Sequence, residues 1–363
     1  MPAIGSREIG VALDMHGCPN RCRHCFVGAS ANAAMAHADL RRLAAQFRDY
    51  VRPGESRPFI EKLSVASWTR EPDFADDYRR LAELEAELGD GKPARYELLS
   101  IWRLARDPGY AAWAKSVGPD TCQVTFFGLE EAQDWFCGRP GAFADSLLAT
   151  ERLLEAGMKP RWQFFLTKKI LPDLAGLMGH VERMRLRERV EALGGEFDVF
   201  IHAPSLVGEG RRIAHLSATL DDTRRVPSEL AESTRRHFKT EKIWTTEAET
   251  VAEILAHPDS GRVPVDYKPP KLWFEVDGNR DVYANTGNSE PWWRLGNLRD
   301  DPVERIFDNY ENDHPLGWQL NRPVTLVQLA RRYGDPASDR VVNAIEVYWL
   351  ESVCAEQWTG SNA

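Results

Sequence analysis

The chain has 363 residues, 43% of them hydrophobic and 28% charged, a balance that suits a folded protein with a sizeable core and excludes a disordered one. A net charge of −9 without a strongly basic block argues against a nucleic-acid partner, because phosphate binding needs a cationic surface. No apolar run approaches membrane-spanning length and Met1 to Arg7 lacks a signal-peptide pattern; with 6 cysteines too few and too unevenly placed for a disulfide framework, no membrane partner and a reducing cytoplasm are expected.

Ile9 to Leu13 is short and apolar and reads as a first strand. It runs into Cys18-Pro19-Asn20-Arg21-Cys22-Arg23-His24-Cys25, a C-x3-C-x2-C loop. Three thiolates on one loop can bind a four-iron cluster while leaving one iron open, and a vacant position suggests chemistry rather than structure. The alternatives are buried thiols or a zinc loop that borrows His16 or His24. Zinc loops commonly add a second cysteine pair further on, and this chain has none.

Leu40, Leu43, Ala44 and Phe47 then share a helical face, and Phe59 to Ala66 reads as a second strand. Phe74, Tyr78, Leu81, Leu84 and Leu88 form a helical stripe that Gly89 stops. Tyr96 to Ile101 is the third predicted strand and Cys122 to Phe127 the fourth. A helix with Phe143, Leu147, Leu153 and Leu154 closes at Gly157. Trp162 to Leu166 is the fifth strand. Asp173 caps a helix with Leu174, Leu177, Val181 and Met184, and Phe197 to Ile201 is the sixth strand.

This alternation predicts an α/β fold, a partial (β/α)6 TIM-like barrel over residues 1–205, with its chemistry at the C-terminal strand ends. The cysteine loop leaves the first strand at that end. Residues 206–270 have no clear period and read as a linker or bridging region with short helices. Residues 271–363 read as a small C-terminal extension, in which Lys271 to Val276 and Val282-Tyr283 are strands joined at Asp277-Gly278.

At the cysteine loop the chain resembles the radical S-adenosylmethionine (radical SAM) enzymes. Their signature is this spacing after a first strand, with an aromatic residue before the last cysteine, where His24 stands here. Thr69-Arg70-Glu71-Pro72 corresponds to the family's Gly-Gly-Glu-Pro segment, with its last two residues kept. Thr125-Phe126-Phe127-Gly128, Glu130 to Asp134, Cys137 to Phe143 and Leu154-Glu155-Ala156-Gly157 resemble the SPASM subgroup. So do Val282 to Asn285, Leu295 to Asp301 and Val303 to Phe307 in the tail. The SPASM extension normally carries cysteines for auxiliary clusters. Asn285 stands where one belongs, and from residue 205 onward the chain has only Cys354. The tail therefore reads as SPASM-like without an auxiliary cluster.

The resemblance implies one [4Fe-4S] cluster on Cys18, Cys22 and Cys25, with SAM on the open iron and a 5′-deoxyadenosyl radical as the oxidant. It implies that His24 meets the adenine, that Thr69, Arg70 and Glu71 meet the amino group, and that Thr125 lies near the ribose or methionine part. Lys168 would meet a carboxylate of SAM or substrate. Each has a plainer reading: a loop histidine, a helix-starting carboxylate, strand packing and a surface cation. Cys122 and Cys354 read as packing residues, while Cys137, on the active side, could return a hydrogen atom to a substrate radical if it is more than an idle buried thiol. Trp68, Trp102, Trp292 and Trp293 read as apolar packing or as a wall around substrate.

The expected substrate is a small natural-product precursor (a sugar, nucleoside or amino acid). With no auxiliary cluster to take an electron, a lyase or epimerase outcome is expected over net oxidation. The early start of the first strand favours this substrate over a ribosomally made peptide, toward which the SPASM resemblance pulls. A flavodoxin or ferredoxin would supply the electron. A non-catalytic cluster- or zinc-binding partner protein is the remaining alternative.

Overall fold

The computed structural model describes residues 7–13, 17–27, 35–66, 74–91, 97–258, 264, 271–284 and 289–361. Its strands are β1 (Glu8–Leu13), β2 (Lys62–Ala66), β3 (Thr121–Phe126), β4 (Lys159–Phe165), β5 (Val199–His202), β6 (Leu272–Val276), β7 (Asp281–Ala284) and β8 (Gly296–Asn297). They form two sheets, one in the order β2-β1-β6-β7-β8 and one in the order β3-β4-β5. The molecule is thus a mixed α/β fold.

Within the second sheet all pairings are parallel, and β1 pairs in parallel with both β2 and β6. Parallel pairing puts the C-terminal ends of neighbouring strands on one edge, where loops can gather functional groups. The hairpin of β6 and β7 continues the sheet of β1, with Val11 opposite Phe274 and Phe274 opposite Ala284. Close approach has a cost at Gly10: a Cβ there would lie 2.2 Å from the Trp273 ring, so the indole lies across the glycine.

Alternation along the strands separates two faces. Ile9, Val11, Leu63, Val65, Leu272, Phe274 and Val276 enter one core with the helix His37–Arg48 and the C-terminal helices. Cys122, Val124, Phe126, Trp162, Phe164, Val199 and Ile201 enter a second core. The expected packing role of Cys122 matches its complete burial. The opposite face of β3 and β4 carries Gln123, Thr125, Arg161 and Gln163.

The third predicted strand does not form among the described residues. Ser100 accepts the backbone N–H of Arg103 at 3.1 Å and starts the helix Ile101–Arg106, so local capping prevails over the apolar run. The chain only touches β3, through Gln123 N–H to Glu97 O at 2.7 Å.

Between residues 206 and 258 the chain carries helices that pack on the sheet and on the C-terminal part. The helix Ser228–Phe238 lies on β5, where Ile201 N–H donates to Thr234 Oγ1 at 3.1 Å. The helix Glu247–Ala256 begins with a capping box of Thr246 and Glu249.

The tail is fastened by a buried carboxylate. Glu351, on the helix Ile345–Ser361, is fully buried and accepts the indole N–H groups of Trp292 and Trp293, each at 2.7 Å. Cys354, one turn further along, is also buried, and burial together with Glu351 pushes its thiol above the usual range. Glu351→Ala strands two buried donors and should lower unfolding free energy by roughly 3 kcal/mol in urea titration. Glu351→Gln, which keeps one acceptor, should cost less; a Glu351→Ala protein as stable as the parent would show that the pair of indoles is not held this way.

Candidate functional site

The cysteine loop is fixed by backbone hydrogen bonds from three parts of the chain. Arg21 N–H and Arg23 N–H donate to Cys137 O and Phe136 O, both at 2.8 Å. These carbonyls end the helix Glu130–Cys137 and have no partner within it. Glu209 N–H donates to Cys25 O at 2.9 Å, and Ser289 N–H donates to Val27 O at 2.8 Å. Gly138 follows the helix with φ +62°, and a Cβ there would lie 2.8 Å from Arg21 O; the loop approaches so closely that only glycine fits.

The helix is itself tied to the exit of β3. Gln133, almost fully buried, accepts Phe127 N–H at 2.7 Å and donates to Thr125 O at 3.0 Å. One side-chain amide thus satisfies the backbone where the sheet ends. Leu129 N–H donates to Asp173 Oδ2 at 2.9 Å.

Cys18, Cys22 and Cys25 are all half-buried. Three thiols on one pinned, partly open loop suit an iron–sulfur cluster that must also admit a further ligand. Among the described residues no group of three or more His, Cys, Asp and Glu side chains is gathered to hold a single metal ion. His16 lies outside the described residues, as do Thr69, Arg70, Glu71, Trp68 and Asn285.

The loop sets His24 on an aromatic shelf. Its ring lies 4.3 Å from Phe127 and 5.2 Å from Phe165, which stack on each other at 5.4 Å. Burial pushes its pKa down to about 4, and its buried Nδ1 has no hydrogen-bond partner. A buried, unbonded ring nitrogen beside a flat apolar surface suits a planar heterocycle that can hydrogen-bond to it, so these residues fit the adenine of SAM.

A polar layer lies one step deeper on the strands. Thr125 stands opposite Gln163, and Gln163 opposite Phe200, while Phe165 stands opposite His202. Thr125 Oγ1 donates to Gln163 Oε1 at 3.3 Å, and Gln123 Nε2 donates to the same oxygen. Arg161 donates to Gln123 Oε1 at 3.0 Å and pairs with Glu97 at 2.7 Å. Gln163 has thereby committed its oxygen, so its amide N–H must donate to His202 Nε2. That fixes a neutral tautomer, in keeping with a His202 pKa pushed down to about 4, chiefly by burial.

The structure therefore brings His24 and the three cysteines to the C-terminal edge of β3 and β4, with Thr125 just below. Lys168 follows β4 and is exposed, its N–H donating to Leu216 O at 2.8 Å. Cys137 is buried behind the loop, where its Sγ accepts from Gln133 Nε2 at 3.8 Å. Trp102 makes an edge contact with Phe74 at 4.9 Å, and the Arg106 guanidinium lies 4.5 Å over its ring. Gln133, Gln163 and His202 escaped the sequence reading, although the alternation in Gln123-Val124-Thr125 and Arg161-Trp162-Gln163 marks the polar face.

No protein-family model matches the chain, and no curated protein matches it in sequence. Solved structures do match. The anaerobic sulfatase-maturating enzyme anSMEcpe, with bound AdoMet and the peptide Cp18Cys, superposes with a TM-score of 0.53 at 14% identity. The match covers 98% of this chain and 98% of that one. The same enzyme with bound AdoMet gives 0.52 at 13% identity over 97% and 98%. Streptococcus suis SuiB with its precursor peptide SuiA gives 0.45 at 15% identity over 92% and 74%. The fold is of the kind found in SPASM-type radical SAM enzymes. No helix among the described residues is long and apolar enough to cross a membrane.

His202 gives the site a measurable pH signature. Between its ordinary pKa of 6.5 and the folded value of about 4, the unfolded chain takes a proton that the folded chain refuses. Its contribution to stability is whole above pH 6.5 and falls as pH drops toward 4. His202→Gln should flatten the pH dependence of unfolding free energy in this window by up to about 1.4 kcal/mol per pH unit. Equal slopes for parent and variant would mean that the folded ring takes up protons freely.

Proposed function

We propose that this chain is a radical SAM enzyme with one [4Fe-4S] cluster on Cys18, Cys22 and Cys25, set at the C-terminal strand ends of a partial TIM-like barrel to which both sheets contribute. The observation that carries this reading is the position of the C-x3-C-x2-C loop: it leaves β1 and lies against the exits of β3 and β4. The fold is shared with an enzyme that binds AdoMet. When bound, the cluster and SAM supply a 5′-deoxyadenosyl radical that takes a hydrogen atom from substrate.

The protein's own residues bind, orient and exclude water. In this reading His24, Phe127 and Phe165 hold the adenine, and Thr69, Arg70 and Glu71 meet the amino group of SAM. Thr125 lies toward the ribose or methionine part, and Lys168 offers an ammonium group to a carboxylate. Aromatic rings around the loop keep the mouth dry, which protects a reactive carbon radical from stray donors. Burial keeps His202 neutral while Gln163 donates to its Nε2, so no proton is released into the site.

Two substrate classes are each supported by an observation. The fold neighbour carrying Cp18Cys supports a peptide. The polar face of Gln123, Thr125 and Gln163 supports a small polar precursor, whose hydroxyl or amine groups would exchange for the hydrogen bonds these side chains now make with one another. A flavodoxin or ferredoxin type donor would supply the electron.

Anaerobic reconstitution with iron and sulfide, followed by dithionite and SAM, should yield 5′-deoxyadenosine. Cys22→Ala should lose the cluster and bring this product to background. Release that rises on adding peptides but not sugars, nucleosides or amino acids selects the peptide reading, and the reverse selects the small precursor. A reconstituted cluster that never cleaves SAM would leave only a binding protein, and zinc in place of iron would overturn the reading.

A further inference from the structure

We propose that Asn20 and Arg139 are positioning residues for the cysteine loop, forming a brace that holds the first half of the loop in its cluster-binding shape. The inference rests on the radical SAM reading and extends it to residues outside the thiol set. Backbone bonds to the helix Glu130–Cys137 fix the loop at Arg21 and Arg23. In the first half of the loop Asn20 makes a side-chain tie: its Oδ1 accepts from Arg139 Nε at 2.9 Å.

Arg139 is anchored at its other end. Its Nη1 pairs with Asp145 at 2.6 Å, and Arg106 pairs with the same carboxylate at 2.9 Å. Asp145 lies on the helix Ala142–Glu155, so the ion pair connects the loop to a rigid element. The Arg139 side chain is only 16% exposed and that of Asp145 15%, which limits screening by solvent. A guanidinium is planar and presents donors in two directions at once; an ammonium is a point charge and cannot span both partners in this geometry.

The turn that carries Arg139 is itself fastened. Asp134 accepts the N–H of Gly141 at 2.6 Å and that of Phe143 at 3.1 Å. Arg139 N–H donates to Asp134 O at 3.1 Å. Arg21 turns its guanidinium back onto the Cys18 and Asn20 carbonyls, at 3.3 and 3.1 Å. The run from Asp134 to Gly141 therefore serves the loop twice. Phe136, Cys137 and Gly138 receive its second half, and Arg139 holds its first. A loop preformed in this way loses less entropy on binding a cluster and keeps its thiols together when one iron bond opens.

The test uses the reconstituted full chain and follows iron loss to a ferrous chelator, together with the electron paramagnetic resonance signal of the reduced cluster before and after SAM. Asn20→Leu and Arg139→Met should each lose iron about ten-fold faster than the parent, in line with a lost charge-assisted hydrogen bond. Asn20→Asp keeps the acceptor and should stay near the parent rate, whereas Arg139→Lys should not rescue. The double variant Asn20→Leu/Arg139→Met should be no faster than the worse single one, because both remove one contact. Parent-like rates in both single variants, full multiplication in the double, or an Asn20→Asp protein as labile as Asn20→Leu would each overturn the brace. Should Arg139→Met fail to fold by circular dichroism, the Asn20 pair alone decides, since Asn20 sits on the half-buried loop. A parent that takes up no four-iron cluster would instead defeat the enzyme reading itself, so the two failures are distinguishable.

Discussion

The C-terminus of a helix leaves backbone carbonyls that need donors, and a cysteine loop has backbone N–H groups that need acceptors. In this protein each meets the other's need. Phe136 O and Cys137 O take the N–H groups of Arg21 and Arg23, so the helix Glu130–Cys137 serves as the template on which the loop is shaped. The helix in turn hangs from β3 through the Gln133 amide. The position of the three thiols is thus set by a short path from strand to glutamine to helix end to loop, and each step is a hydrogen bond that satisfies a backbone group.

That path explains why the site stands where it does. Parallel pairing places the exits of β3 and β4 side by side, and Phe127 and Phe165 meet there as a shelf for His24. Below the shelf the side chains are polar and linked to one another, with hydrogen bonds running from Arg161 through Gln123 and Gln163 to His202. A floor whose amides and imidazole have committed their donors and acceptors is rigid, and a rigid floor keeps its pocket in shape without a ligand. The segments around Glu209 and Ser289 close the loop from the other side, so parts of the chain far apart in sequence share the site.

Much of this was readable in the sequence where local signals were strong. The apolar alternation of β1, β3 and β4, the helix stop at Gly157 and the C-x3-C-x2-C spacing each reflect chemistry within a few residues. The failures have physical reasons. Tyr96 to Ile101 looks extended by composition, but Ser100 caps a helix, and a single side-chain hydrogen bond outweighs a weak strand propensity. The helix Ser228–Phe238 buries Leu230, Ser233 and Thr234, two of them polar, so no apolar stripe announces it. The pairing of β6 beside β1 links residues more than 250 apart, by about the arithmetic of Val11 and Phe274, and such pairing leaves no local trace. Asn20 and Arg139 were equally hidden, since an arginine in a Gly-Arg-Pro-Gly turn looks like any surface cation.

The tail bears on the outcome of the proposed reaction. Removing a hydrogen atom leaves a substrate radical, and a net oxidation must then send a second electron somewhere. From residue 205 onward the sequence offers only Cys354 as a thiol. It is buried in the core, and burial holds it in the protonated form, which is the wrong form for ligating iron. The nearby carboxylate Glu351 is committed to two indole N–H groups and gives the tail packing instead of redox chemistry. Under the proposed reading the electron returns to the cluster held on Cys18, Cys22 and Cys25, passes to an external acceptor, or stays with the product. That asymmetry favours elimination, rearrangement or epimerisation over oxidation.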